Sequence, residues 1–191
     1  MDASDPAAAD KDVRAAGPAP LSPPAERWKQ ASLPELVDHL LDCHHAYTRR
    51  QLTRLSELLE EALRLAPGPS LLRAQGDFRT LARDLSAHLA EEEAALFPQI
   101  RTMASGGPPP EGLRDISGLF EMARLEHQAT RQLLLHLGSL SHTHPPGPGT
   151  PAALRDFLTG LQELEDDLHV HIYLENAILF PRVLAEALRE R

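Results

Sequence analysis

The chain has 191 residues, 42% of them hydrophobic and 25% charged, with a net charge of -9 at pH 7, a size that supports one ordinary core. Lys and Arg lie singly along expected helix faces rather than in a basic stripe, which argues against nucleic acid or an anionic membrane surface as partner, and no stretch is apolar enough to span a bilayer. The single cysteine, Cys43, cannot form an internal disulfide, so a cytoplasmic location is expected.

Residues 1–29 are rich in Ala, Pro and charge, with acidic residues ahead of Arg14 and no apolar run resembling a signal peptide. They are expected to be a disordered tail, and residues 30–191 a single helical domain. Within that domain, helical periodicity covers roughly 33–65, 70–103, 112–141 and 151–189. The breaks between them are "APGPS" (66–70), "SGGPPPEG" (105–112) and "HPPGPGTP" (144–151), all rich in the residues that end helices. No alternating strand pattern is present. Short connections between long helices favour antiparallel neighbours, so the expected fold is all-α: an up-and-down antiparallel four-helix bundle.

The first helix carries an inward stripe of Leu41, His45, Thr48, Leu52, Leu55 and Leu59. Beside it, His44 falls off the stripe and is expected at the surface, and Cys43 on another face as a small, partly buried residue. Asp38 and His39 could cap the helix or orient a ligand. In the second helix, Leu81, Leu85, His88, Glu92 and Ala95 keep the same stepping, with Glu91 and Glu93 to either side. The third presents Phe120, Ala123, His127 and Leu134. After it, His142 and His144 fall in an expected loop. The fourth runs Leu154, Phe157, Leu161, Leu164, Leu168, His171, Glu175 and Ile178, and "ELEDD" (163–167) reads as a charged outer face around Leu164. The second and fourth helices share a motif: "HLAEEEAALFP" and "HIYLENAILFP" each place a Glu four residues after a His and Leu-Phe-Pro at one offset. Pro98 and Pro181 are expected to kink or end their helices just beyond it.

Six polar side chains, His45, His88, Glu92, His127, His171 and Glu175, therefore point at one interior. Each buried polar group left without a partner costs about 1–3 kcal/mol, so six would rival the whole stability of about 5–15 kcal/mol of a typical domain. An internal His and Glu network could satisfy some of them. Two cations would satisfy all: imidazole nitrogen suits iron, a carboxylate can bridge two ions, and side chains at i and i+4 converge from one helix face. Four His and two bridging Glu leave open positions for an exogenous ligand, the mark of a reactive site. Manganese suits the same ligand types, and zinc is compatible with them.

The segments "DHLLDCHHAYTRRQLTRL", "SAHLAEEEAALFP", "LEHQ" and "HIYLENAILFPR" resemble the hemerythrin-like (HHE cation-binding) domain, most of all the di-iron proteins for repair of iron centres. The resemblance spans about Leu33 to Val183 and implies the same six ligands, with Glu92 and Glu175 as bridges. It further implies an oxo- or hydroxo-bridged pair of non-haem iron ions and a diatomic ligand, nitric oxide or oxygen. The implied role is iron–sulfur cluster repair under nitrosative or oxidative stress, by nitric oxide reduction or by iron donation to iron–sulfur proteins. The alternative is an iron- or oxygen-sensing module without turnover. The chain departs from the pattern in three places: its N-terminal stretch lacks the cysteine pair of full-length repair proteins; Ala123 and Arg131, not a fifth His, flank His127, which disfavours oxygen carriage; and Gln128 follows His127 where an acid is common, which puts a supporting carboxylate in doubt.

Overall fold

The computed structural model describes residues 25–107, 113–143 and 147–189, and no strand occurs among them. Four long helical rods form the bundle. The first comprises Leu33–His39, Leu40–His45 and Ala46–Leu65; the second Pro69–Glu91, Glu92–Leu96 and Phe97–Ala104; the third Leu113–Gly138; the fourth Ala152–Tyr173, Leu174–Leu179 and Phe180–Arg189. Each packs on the next in chain order, and the fourth returns to the first, as the up-and-down arrangement requires. No helix among the described residues is long and apolar enough to cross a membrane.

Local chemistry fixes the ends. The first rod starts at a capping box: Ser32 accepts from the Glu35 backbone N–H, and the Glu35 carboxylate accepts from the Ser32 N–H at 2.8 Å. The second rod stops where Gly106 takes a positive φ of 73°, a conformation that costs glycine least.

The expected tail begins its ordered structure earlier than residue 30. Ala25–Gln30 is a short helix, and its Trp28 is only 5% exposed. Arg182 of the fourth rod anchors it by donating to the backbone carbonyls of Trp28 at 2.7 Å and Ala31 at 2.6 Å. The rest of the expected tail, residues 1–24, lies outside the described residues, as does His144. His142 sits exposed in the short helix Leu140–Thr143 rather than in a loop.

The core is in two parts. One apolar cluster gathers Leu52 to Leu89 with Leu134 to Leu168, and the other joins Trp28 to Leu40, Leu96 to Ala123 and Leu174 to Ala187. The six inward polar residues lie where one cluster gives way to the other along each rod. In the first cluster Phe157 is fully buried and meets Phe78 edge-to-face, ring centroids 5.6 Å apart. Nearby, a Cβ on Gly160 would come within 2.8 Å of Leu55 Cδ2 on the first rod and force that side chain to shift. Phe157→Ala should lower unfolding free energy by about 3–5 kcal/mol in a denaturant titration, since the cavity opens in packed surroundings.

Candidate metal centre

All six residues singled out by their spacing converge. His45, His88, Glu92, His127, His171 and Glu175 are 0–3% exposed. They form two overlapping quartets, His45, Glu92, His171, Glu175 and His88, Glu92, His127, Glu175, in each of which one donor atom per residue lies within 4.8 Å of the others. Both glutamates belong to both quartets. Glu92 Oε2 lies 3.5 Å from His45 Nε2 and 3.4 Å from His88 Nε2. Glu175 directs Oε1 to His171 Nε2 at 2.8 Å and Oε2 to His127 Nε2 at 3.1 Å.

The backbone is unusual where it presents these groups. A π-helical turn interrupts three of the four rods, at Leu40–His45, Glu92–Leu96 and Leu174–Leu179. The bonds that close them run from Ala46 N–H to Leu41, Phe97 N–H to Glu92 and Phe180 N–H to Glu175, five residues back instead of four. This accounts for the repeated Leu-Phe-Pro. A proline ring collides with the carbonyl four residues earlier, and for Pro98 and Pro181 that carbonyl falls inside a widened turn. Neither proline ends its helix, contrary to one expectation; each sits in the first turn of an α-helix that continues.

Buried polar groups here lack partners of the ordinary kind. His45 Nε2 and both oxygens of Glu92 accept no hydrogen bond. His88 Nε2 and His127 Nε2 face each other 3.0 Å apart. Two carboxylates and four imidazoles in one buried layer, with lone pairs aimed inward, is a donor set that fits two hard-to-borderline cations with four protein ligands each.

Electrostatics without a cation show the strain. Burial, then the neighbouring Glu175, push the Glu92 carboxyl well above the usual range. Glu175 is held well below it: burial opposes the charge, but His171 and His127 outweigh that. Burial brings His45 down to about 4 and also lowers His88.

The surroundings hold features that spacing did not reveal. His45 Nδ1 lies 2.8 Å from Glu93 Oε1, and His88 Nδ1 2.8 Å from Glu126 Oε2, so each ring donates outward and turns Nε2 inward as a lone pair. The carboxylate whose absence Gln128 suggested is thus supplied by Glu126, one residue before His127 instead of one after. Asn176 Nδ2 is 3.2 Å from His127 Nδ1, and His171 Nδ1 has no hydrogen-bond partner. His44 is buried, not at the surface: its Nδ1 lies 3.0 Å from Asp167 Oδ1, and its ring stacks on His171 at 5.7 Å. Asp167, expected on an outer face, is correspondingly only 12% exposed. Cys43 is exposed, not partly buried. His39 neither caps nor orients a ligand; it stacks on Trp28 at 4.2 Å and meets the His44 ring edge-on, while Asp38 pairs with Arg101.

A half-open cavity of about 10 Å³ reaches the His88 end, lined by Leu96, Leu119, Met122 and Ala123 with Glu91 and Glu126. It has room for about one water-sized guest.

A bundle that buries paired histidines and shared carboxylates between two apolar layers defines a cation-binding helical protein. Residues 36–183 match the family "Hemerythrin HHE cation binding domain". The chain is 33% identical over 160 residues to the iron-sulfur cluster repair protein YtfE of Escherichia coli O157:H7, covering 83% of this chain and 69% of that one. The protein of the same name from Escherichia fergusonii gives the same figures. The chain belongs to the hemerythrin HHE cation-binding family.

Stability of the metal-free protein should depend on pH. His45 and His39, both brought down to about 4, and the lowered His88 take up protons more readily when unfolded, so stability is lost as pH falls from about 6.5 towards 4. Glu92, raised, acts in the opposite sense but is one group against three. Metal-free protein should therefore melt at a lower temperature at pH 5 than at pH 7 in thermal scans followed by circular dichroism.

Proposed function

We propose that the six residues hold two non-haem iron ions and that the protein serves repair of iron–sulfur clusters in the cytoplasm under nitrosative or oxidative stress, by reducing nitric oxide or by donating iron. His45 and His171 would hold one ion and His88 and His127 the other, with Glu92 and Glu175 shared between the two. The observation that carries this is the pair of buried quartets sharing both glutamates. Similarity to a protein named for iron–sulfur cluster repair favours iron over the manganese and zinc that the ligand types also accept.

When bound, the ions supply open coordination positions and electrons for a diatomic ligand. The chain's own part is to orient, exclude and admit. Glu93 and Glu126 accept the outer N–H of His45 and His88 and so fix the tautomer that offers Nε2 inward. The apolar clusters above and below the polar layer keep bulk water out. The cavity beside His88 is small and walled mainly by Leu96, Leu119, Met122 and Ala123, which suits nitric oxide better than a polar metabolite. Iron–sulfur proteins are the proposed acceptors where iron is donated.

Protein purified without chelators from iron-replete cells should contain about two irons per chain and show near-ultraviolet and visible charge-transfer bands. The diferrous form should convert nitric oxide to nitrous oxide, read by gas chromatography. His88→Ala should lose iron and the bands together while remaining helical. Folded wild-type protein that takes up no ferrous iron anaerobically would overturn the reading, and iron loading without nitrous oxide or iron transfer would leave the sensing module.

A further inference from the structure

The four inward histidines are held from outside in four different ways. His171 Nδ1 has no hydrogen-bond partner, His127 Nδ1 has the amide of Asn176, and His88 Nδ1 has Glu126, whose side chain is 38% exposed and pairs with no cation among the described residues. His45 alone stands at the end of a chain of charge. Its Nδ1 meets Glu93 Oε1 at 2.8 Å, and Arg49 grips that carboxylate with both terminal nitrogens, Nη1 to Oε1 at 2.8 Å and Nη2 to Oε2 at 2.9 Å. Exposure rises steadily outward along it, from 0% at His45 through 31% at Glu93 to 44% at Arg49.

We propose that Arg49 and Glu93 are positioning residues of the metal centre, Arg49 acting on the His45 ion only through Glu93. The inference rests on the di-iron reading above. A two-pronged guanidinium leaves a carboxylate one rotamer, which lysine's point charge would not do. With Glu93 fixed, the plane of the His45 ring and the direction of its Nε2 lone pair are fixed too. The contact also crosses between rods at a sensitive place. Glu93 lies in the π-helical turn that begins with the bridging Glu92, and Arg49 stands one helical turn after His45. One ion pair thus ties the ligand of the first rod to the bridge of the second. Partly exposed ion pairs contribute little to stability, so a purely structural role predicts a small loss in the melt of metal-free Arg49 variants and no separate loss of metal affinity. A role in holding a ligand predicts an effect on metal affinity out of proportion to any effect on folding.

The test is anaerobic ferrous titration of metal-free protein against a chromogenic chelator, for wild type, Arg49→Met, Glu93→Ala and the double variant, with thermal melts of each metal-free protein alongside. Glu93→Ala should weaken one of the two irons about 10–100-fold and leave the other near its wild-type affinity. Arg49→Met should weaken the same iron by a smaller factor, and the double variant should be no worse than Glu93→Ala, because Arg49 has no route except Glu93. Should Glu93→Ala fail to fold, Arg49→Met, altered at an exposed position, carries the test together with a shift of its ferric charge-transfer bands. Wild-type affinity in Arg49→Met, or losses that add in the double variant, would overturn the proposal. Wild type that binds no iron would instead remove the di-iron reading itself.

Discussion

Six polar side chains that share one buried layer, with too few hydrogen-bond partners to satisfy them, are the constraint to which the rest of the molecule answers. A helical bundle of this size would ordinarily fill its centre with aliphatic side chains. Here the aliphatic material is divided into two clusters, and the layer between them holds four imidazoles and two carboxylates. Their mutual contacts, such as His171 to Glu175, satisfy only part of what they offer; His45 Nε2 and the Glu92 oxygens remain without acceptors or donors. Glu92 is displaced above and Glu175 below the usual carboxylate range, as expected of two acids that share one buried layer. Cations held there would reverse the balance, since the inward lone pairs would gain partners and binding free energy would become folding free energy.

Backbone geometry is shaped by the same layer. A regular α-helix repeats its register every turn, and three of the four rods abandon that register at the layer. The π-helical turns place one more residue in the circuit at His45, Glu92 and Glu175, where the side chains of different rods must meet at a point instead of interdigitating. In two of the rods a proline follows at once, and the wider turn accommodates its ring. The π-helical turn and the polar layer are thus one structural device, and the two apolar clusters on either side hold its ends in ordinary helix.

The layer is also asymmetric. Its His88 side opens on a small cavity lined in part by Glu126, while on its other side the His45 ring meets Phe97 and the arginine–glutamate pair lies outside. Two chemically similar halves, one with the His88 copy of the repeated motif and the other with the His171 copy, thereby meet different environments.

Much of this was legible in the amino-acid sequence because it depends on local repetition. Apolar stripes, the four helical segments, the turn signals between them, and the inward direction of His45, His88, Glu92, His127, His171 and Glu175 all follow from a period of 3.6 residues along one chain. Other features depend on how one helix is rotated and shifted against another, which no single segment encodes. That is why His44, off its own stripe, is nonetheless buried against Asp167 of the fourth rod, and why His45 and His88 find their outer partners in Glu93 and Glu126 on neighbouring rods. The burial of Trp28 likewise required Arg182, far along the chain, to anchor its backbone. Sequence by itself determined the apolar stripes and the inward direction of the six site residues; the tertiary structure decided which side chains touch, and buried His44 and Trp28 besides, because contact between rods is set by packing at a distance and not by spacing within a helix.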